Sequence, residues 1–187
     1  LKIGTAAPSF NELQQAKHHF IHHLSIHQKY DVADFERDTI PLLANLFQKK
    51  KTVILTGGSG LYIDAVCNGI DRMPEIDQHV RRQVHTIYTE EGLEGLQNLI
   101  QKIDPEYFKT VDQLNPRRLQ RALEVFFQTG NTFSSFRINN RPQRFFTPVY
   151  LGLERPRGEL IGRINARTEQ MMTDGLLDEV QNLLPYQ

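Results

Sequence analysis

Apolar residues along the chain change spacing several times, and each change predicts an element. Ser9 precedes a stretch with helical patterning over roughly residues 10–21, and Glu12 stands where a capping box needs an acid. Val32, Phe35, Ile40, Leu43 and Phe47 recur at helical spacing behind Asp31, an N-cap residue, which predicts a second helix that buries this stripe. Lys49, Lys50 and Lys51 close that helix where its dipole favours cations. The pattern then becomes continuous. Thr52-Val-Ile-Leu-Thr56 is a short β-branched run, the mark of a strand buried on both faces of a parallel sheet. Gly57-Gly58-Ser59-Gly60 turns the chain, and Leu61 to Val66 opens another helix that runs to Asn68-Gly69.

Beyond Asp71 the chain is helix-rich and polar, with a break expected between Thr89 and Gly92. Asp104-Pro105 and Asn115-Pro116 each start a helix, since proline suits the first helical position. The second of these is amphipathic and runs to Gly130: Leu119, Ala122, Leu123 and Phe126 form its apolar face, while Arg117, Arg118 and Arg121 share the other. Residues 131–144 lack periodicity and interleave Phe133 and Phe136 with Arg137, Arg141 and Arg144, a loop suited to mobility or RNA contact. Thr147 to Leu153 reads as a second buried strand, followed by a long helix from Gly158 to Asp174 and a shorter one from Leu176. These elements predict an α/β core with both strand ends on one rim and a helical insertion between them.

Composition narrows the choices only a little. The 187 residues carry no net charge and 39% are hydrophobic, enough for a packed core. No apolar run reaches the roughly eighteen residues of a membrane helix. The lone Cys67 excludes an internal disulfide and a cysteine-based zinc site, and it suits a reducing cytoplasm. Zero net charge argues against a nucleic-acid binder, but arginines gather in the C-terminal half, where their planar forks suit phosphates and bases. His18, His19, His22, His23 and His27 cluster; HxxxH without an acidic partner is a weak metal signal, and local hydrogen bonding is the better account. The chain opens at Leu1 without a methionine and closes just past a helix, so it is expected to be a fragment without its natural N-terminus.

Candidate chemistry centres on two places. The glycine turn leaves backbone N–H groups at a helix N-terminus free to meet an anion or a base edge, although a tight βα turn would use the same residues. Its spacing is neither GxGxxG nor GxxxxGK[ST]. The arginine helix is either a solvated face or an RNA surface.

In order, IGTAAPS, YDVADF, LTGGSGLYIDAV, DP, NPRRLQRALEVF, TG and LIGRINARTEQMMTDGLLDEV resemble the tRNA dimethylallyltransferase (tRNA isopentenyltransferase) family over nearly the whole chain. Ser59 replaces the family's usual threonine and keeps the hydroxyl. The resemblance implies a P-loop-type parallel-sheet core with a mainly helical insertion: residues 1–70 and 147–187 as core, 71–146 as the tRNA-binding insertion. It implies transfer of a dimethylallyl group from dimethylallyl pyrophosphate to N6 of the adenosine 3′ of the anticodon, with Mg²⁺, in the cytoplasm, off the membrane and as a monomer when intact. Arg163 and Arg167 look like pyrophosphate-holding catalytic arginines. Gly58, Ser59 and Gly60 look like the turn that meets the target adenosine, with Ser59 also on the tRNA. Arg81, Arg117, Arg118, Leu119, Gln120 and Arg121 resemble residues that contact the anticodon stem-loop. The family's GxxxxGK[ST] loop and DSxQxY motif do not occur in this sequence, so the chain alone is expected to be inactive. A tRNA-binding module without chemistry and a P-loop small-molecule kinase are the alternatives; the kinase leaves the arginine helix unexplained.

Overall fold

A computed structural model of the chain describes residues 1–5, 7–138 and 141–186. Ala6 of the IGTAAPS segment, Asn139 and Asn140 of the polar loop, and the terminal Gln187 lie outside the described residues. The chain forms two compact units: Leu1–Lys29 with Val149–Gln187, and Tyr30–Pro148. Residues 30–70 group with the helical segment that follows them.

In the unit Tyr30–Pro148, α2 (Val32–Phe47) packs on α3 (Gly60–Asn68), and α4 (Gln78–Ile103), α5 (Pro105–Phe108), α6 (Pro116–Thr129) and α7 (Phe133–Phe136) form a helical cluster. Local sequence sets each start. The Asp31 carboxylate accepts from the N–H groups of Ala33 and Asp34, and Asp34 answers on the Asp31 N–H, a complete capping box. Asn115 Oδ1 accepts from the Arg118 N–H at 3.3 Å, with Pro116 behind it. The expected break in α4 is a kink at Gly92, whose φ of 67° and ψ of −159° suit only glycine. Val84, Leu96 and Ile100 from α4, Tyr107 from α5, and Leu119, Ala122 and Leu123 from α6 make the core. Asp104 is buried among them and bridges two helix starts, accepting from the Tyr107 N–H at 3.0 Å and the Ser134 N–H at 2.8 Å.

The other unit holds α1 (Phe10–Gln15), α8 (Arg157–Thr173) and α9 (Leu176–Gln181). The Ser9–Glu12 capping box forms as expected. The helix it opens stops at Gln15 rather than residue 21, because it buries no side chain; a helix this short has little stability of its own. His18 and His22 therefore share no helix face. His18 Nδ1 bonds the Ala16 carbonyl and His22 Nε2 the Leu1 carbonyl, each at 2.9 Å, the local hydrogen bonding anticipated for them.

The helical part of the expected fold is present, and the expected sheet does not form among the described residues. Among the described residues there is no strand, and the fold shown is mainly helical. Thr52 to Thr56 and Thr147 to Leu153 run outside helices with most of their apolar residues in solvent: Ile54 is 85% exposed and Leu151 89%, while Val53 is half-buried. A β-branched run favours extended backbone, but a strand exists only where a neighbour accepts and donates its ladder bonds. No described residue supplies one. The expected loop over residues 131–144 differs too, since it contains the short helix α7.

Candidate functional site

The glycine turn leads into α3 with Ser59 as its N-cap residue, at φ −91° and ψ 96°, and the serine makes no side-chain capping bond. Ala65 and Val66 fix the helix by burial, and the Phe35 and Tyr62 rings meet at 5.1 Å across α2 and α3. Gly57, Gly58 and Gly60 have no positive φ, and a Cβ at any of them would meet nothing within 4 Å. Neither backbone conformation nor packing within the described chain requires glycine there. What the three do is keep the backbone N–H groups at the start of α3 open to close approach.

The NPRRLQR segment divides by burial. Arg117 and Arg118 are exposed at the first turn of α6, and Arg81 is exposed on α4. Leu119 is wholly buried and belongs to the core, so its contribution is to hold the helix. Gln120 is half-buried. Arg121 donates from Nη2 to the Pro74 carbonyl at 3.3 Å and pairs with Glu124 at 3.5 Å, so part of its bonding capacity serves the unit itself.

Two arginines of the polar stretch 131–144 make contacts within the unit. Arg137 stacks over the Tyr107 ring, 5.8 Å from its centroid. Burial raises the Tyr107 pKa, and the charges of Arg137 and Arg118 oppose that rise. Arg144 pairs with Glu36 of α2, and its Nη2 also donates to the Ala65 carbonyl of α3 at 2.9 Å. The alternation of phenylalanine and arginine in residues 131–144 was the available signal. It could not say which arginine faces inward.

Arg163 and Arg167 lie in the other unit, on α8, which buries no side chain. Their i,i+4 spacing puts them on one helix face, as expected. In the same unit the Glu179 carboxylate accepts from the N–H groups of Lys2, Ile3 and Gly4, at 3.1 Å for Ile3 and 2.9 Å for Gly4. These bonds, led by those from Lys2 and Gly4, pull its pKa down from 4.5 to about 2. A depressed carboxylate pKa adds stability that is complete above the unfolded value of 4.5 and is lost as pH falls towards 2. Hydrogen-exchange protection of the amides of residues 2–4, measured relative to their intrinsic rates, is therefore expected to fall across that acid window, and to be low already at neutral pH in Glu179→Gln. Equal protection in wild type and variant at pH 7 would refute the role given to Glu179.

Among the described residues no group of three His, Cys, Asp or Glu could hold a metal ion. Among them, too, no helix is long and apolar enough to cross a membrane.

These features define a mainly helical protein that presents a glycine turn and arginine-bearing helices to solvent. The family profile described as IPP transferase matches residues 1–187, and the chain belongs to the IPP transferase family. It is 45% identical, over 99% of its length, to a tRNA dimethylallyltransferase of Christiangramia forsetii, and 43% identical, over 100%, to a tRNA dimethylallyltransferase 1 of Bacteroides thetaiotaomicron. It spans 61% and 60% of those relatives' lengths. The crystal structure of a full-length tRNA isopentenylpyrophosphate transferase from Bacillus halodurans resembles it with a TM-score of 0.58 and 30% identity, covering 98% of this chain and 57% of that one.

Proposed function

We propose that the protein carrying this chain transfers a dimethylallyl group from dimethylallyl pyrophosphate to N6 of an adenosine 3′ of a tRNA anticodon. The observation that carries this reading is the match along the whole chain to relatives named for that activity. The N6 nitrogen attacks C1 of the allyl group, the C1–O bond breaks, pyrophosphate leaves with the bonding pair, and N6 passes its proton to a general base. In this reading Arg163 and Arg167 hold the pyrophosphate, where fixed cations stabilise the charge that develops on the leaving group. Gly58, Ser59 and Gly60 receive the adenosine, which must leave its stack to be reached. The open ground around those glycines supports that role. Arg81, Arg117, Arg118, Gln120 and Arg121 face the anticodon stem-loop, with Leu119 holding their helix in place. Mg²⁺ accompanies the pyrophosphate by family resemblance alone. The activity belongs in the cytoplasm, with the intact protein a monomer.

The test is mass spectrometry of nucleosides from tRNA incubated with the natural protein and dimethylallyl pyrophosphate. N6-prenylated adenosine is expected, and Arg163→Ala should cut kcat/KM by about a hundredfold. Arg118→Ala should instead weaken binding of an anticodon stem-loop. The loss should be about 1–3 kcal/mol if it reads a base edge, and sequence-independent and smaller at high salt if it meets phosphate. No prenylated product from the natural protein would refute the reading. Equal losses for RNA and prenyl donor in Arg118→Ala would return that arginine to a structural role.

We also infer that Thr52–Thr56 and Thr147–Leu153 are strands of a P-loop-type parallel sheet in the natural protein. Their exposed apolar side chains and extended-favouring residues support this, because such a run is stable only when paired and covered. Amides of residues 52–56 should exchange slowly in the natural protein and fast in the 187-residue chain. Fast exchange in both would overturn the assignment.

A further inference from the structure

Helix α8 carries Arg163 and Arg167 in solvent, yet it buries no side chain. Its side-chain hydrogen bonds are local: Thr168 donates to the Ile164 carbonyl at 2.9 Å, Thr173 to that of Glu169 at 3.0 Å, and Glu159 accepts from Arg155. Bonds of this kind hold a helix together but leave its direction open. The C-terminal end of α8 is joined to α9, on which it packs. Gln170 Nε2 donates to Asp174 Oδ1 at 2.7 Å, and Gly175, at φ 97°, turns the chain straight into α9. The direction of α8 therefore depends on what holds α9.

Glu179 is that hold. Its Oε1 accepts from the N–H groups of Lys2 and Ile3, and its Oε2 from that of Gly4. Three successive peptide N–H groups converging on one carboxylate form an anion-binding concavity. The segment is folded to present them: the Ala7 N–H donates to the Lys2 carbonyl at 2.9 Å, and the Thr5 hydroxyl to that of Leu1 at 3.0 Å. It lies directly on α9, since a Cβ on Gly4 would stand 3.4 Å from both Glu179 Oε2 and Leu176 Cδ1. A second tie to the C-terminal residues, the edge contact of the His27 and Tyr186 rings at 5.2 Å, is weaker than charge-assisted hydrogen bonds.

We propose that Glu179 is a positioning residue for the transfer reaction: by gripping residues 2–4 it fixes α9, and through α9 the direction of α8 and the placement of Arg163 and Arg167 against the pyrophosphate. The proposal rests on the reading that these two arginines hold that group. Cations stabilise a leaving group best when they need no reorientation as its charge develops. A misplacement of about 1 Å can cost a hundredfold in rate. Glutamine at 179 keeps the size of the side chain but removes the charge and turns one acceptor into a donor facing N–H groups. Aspartate keeps the charge and loses reach.

The experiment is steady-state kinetics of the natural protein with dimethylallyl pyrophosphate and tRNA, together with titrations of inorganic pyrophosphate and of an anticodon stem-loop. Glu179→Gln should lower kcat/KM about tenfold, divide that loss between kcat and the donor KM in the same proportion as Arg163→Ala, and weaken inorganic pyrophosphate by a similar factor. Stem-loop affinity should stay at the wild-type value, because the residues assigned to RNA lie in the other unit. Glu179→Asp should recover part of the loss. In a protein already carrying Arg163→Ala and Arg167→Ala, Glu179→Gln should cost clearly less than in the wild type, since no arginine is left to place. Gly4→Val, which pushes the loop off α9 from the opposite side, should reproduce the kinetic pattern, so a folding defect peculiar to one variant does not decide the outcome. Wild-type kcat/KM in Glu179→Gln, or equal fold-losses in both backgrounds, would overturn the positioning role and leave prenylation standing. So would a loss confined to kcat that tracks the melting curve, the mark of fewer folded molecules. Undiminished kcat/KM in the double arginine variant would remove the pyrophosphate reading and this proposal with it.

Discussion

Arg144→Ala is expected to destabilise the unit Tyr30–Pro148 by about 3 kcal/mol, the low end of what breaking a buried ion pair costs. The side chains of Arg144 and Glu36 are only 11% and 19% exposed, so water can replace little of what each gives the other. Removing the guanidinium leaves the Glu36 carboxylate half-buried without its cation and takes one of two donors from the Ala65 carbonyl, which keeps the Gly69 N–H at 2.9 Å. For a chain of this length that loss corresponds to a melting temperature about 6–12 °C lower. Glu36→Ala should cost a similar amount. The double variant should cost clearly less than the sum, because neither charge is then stranded. Glu36→Met with Arg144→Met, which fills the space with apolar atoms, should recover most of the stability. Urea unfolding of the wild type and these four variants measures this. Strictly additive losses would mean that the pair does not couple α2 to the segment after α7.

Arg144 also shows where sequence reading reaches its limit. In the sequence, Arg137, Arg141 and Arg144 are equivalent members of one polar stretch. Their roles part only through tertiary placement: Arg144 turns inward to Glu36 and Ala65, Arg137 lies on Tyr107, and Arg141 lines a cavity past α3. Features encoded within a few residues were legible in advance. Asp31 and Ser9 cap their helices, Gly92 kinks α4, and Asn115-Pro116 opens α6, because each outcome depends on hydrogen bonds or sterics inside one turn. The end of α1 was not legible, since helical patterning extends past the point where any surface is there to bury it. The same holds for Thr52–Thr56, whose pattern states a preference for pairing but cannot name a partner. For the site, the resemblance marked NPRRLQR as one block, and burial then split it into exposed Arg117 and Arg118 and buried Leu119.

That split gives the last expectation. Leu119→Ala should cost about 2–5 kcal/mol, the range for truncating a fully buried leucine, because the side chain is wholly enclosed by the α4–α6 core. Leu96, Ile100 and Leu123 in the same cluster are equally enclosed and cannot all shift to fill the space, which places the loss in the upper part of the range. If Leu119 acted on RNA through its own side chain, affinity for an anticodon stem-loop would fall even among folded molecules. The structure leads to the opposite expectation, since a residue without exposed surface can affect RNA only through the helix it anchors. At low temperature, where the variant remains folded, its stem-loop affinity should stay within about twofold of wild type, because an altered contact to a base would cost more than that. Arg118→Ala should show the reverse pattern, with nearly unchanged melting and weakened RNA binding. The measurement pairs a melting curve with a stem-loop titration for each variant. A Leu119→Ala protein that melts like wild type yet binds RNA poorly would show that the leucine reaches RNA, and that α6 rearranges to expose it on binding.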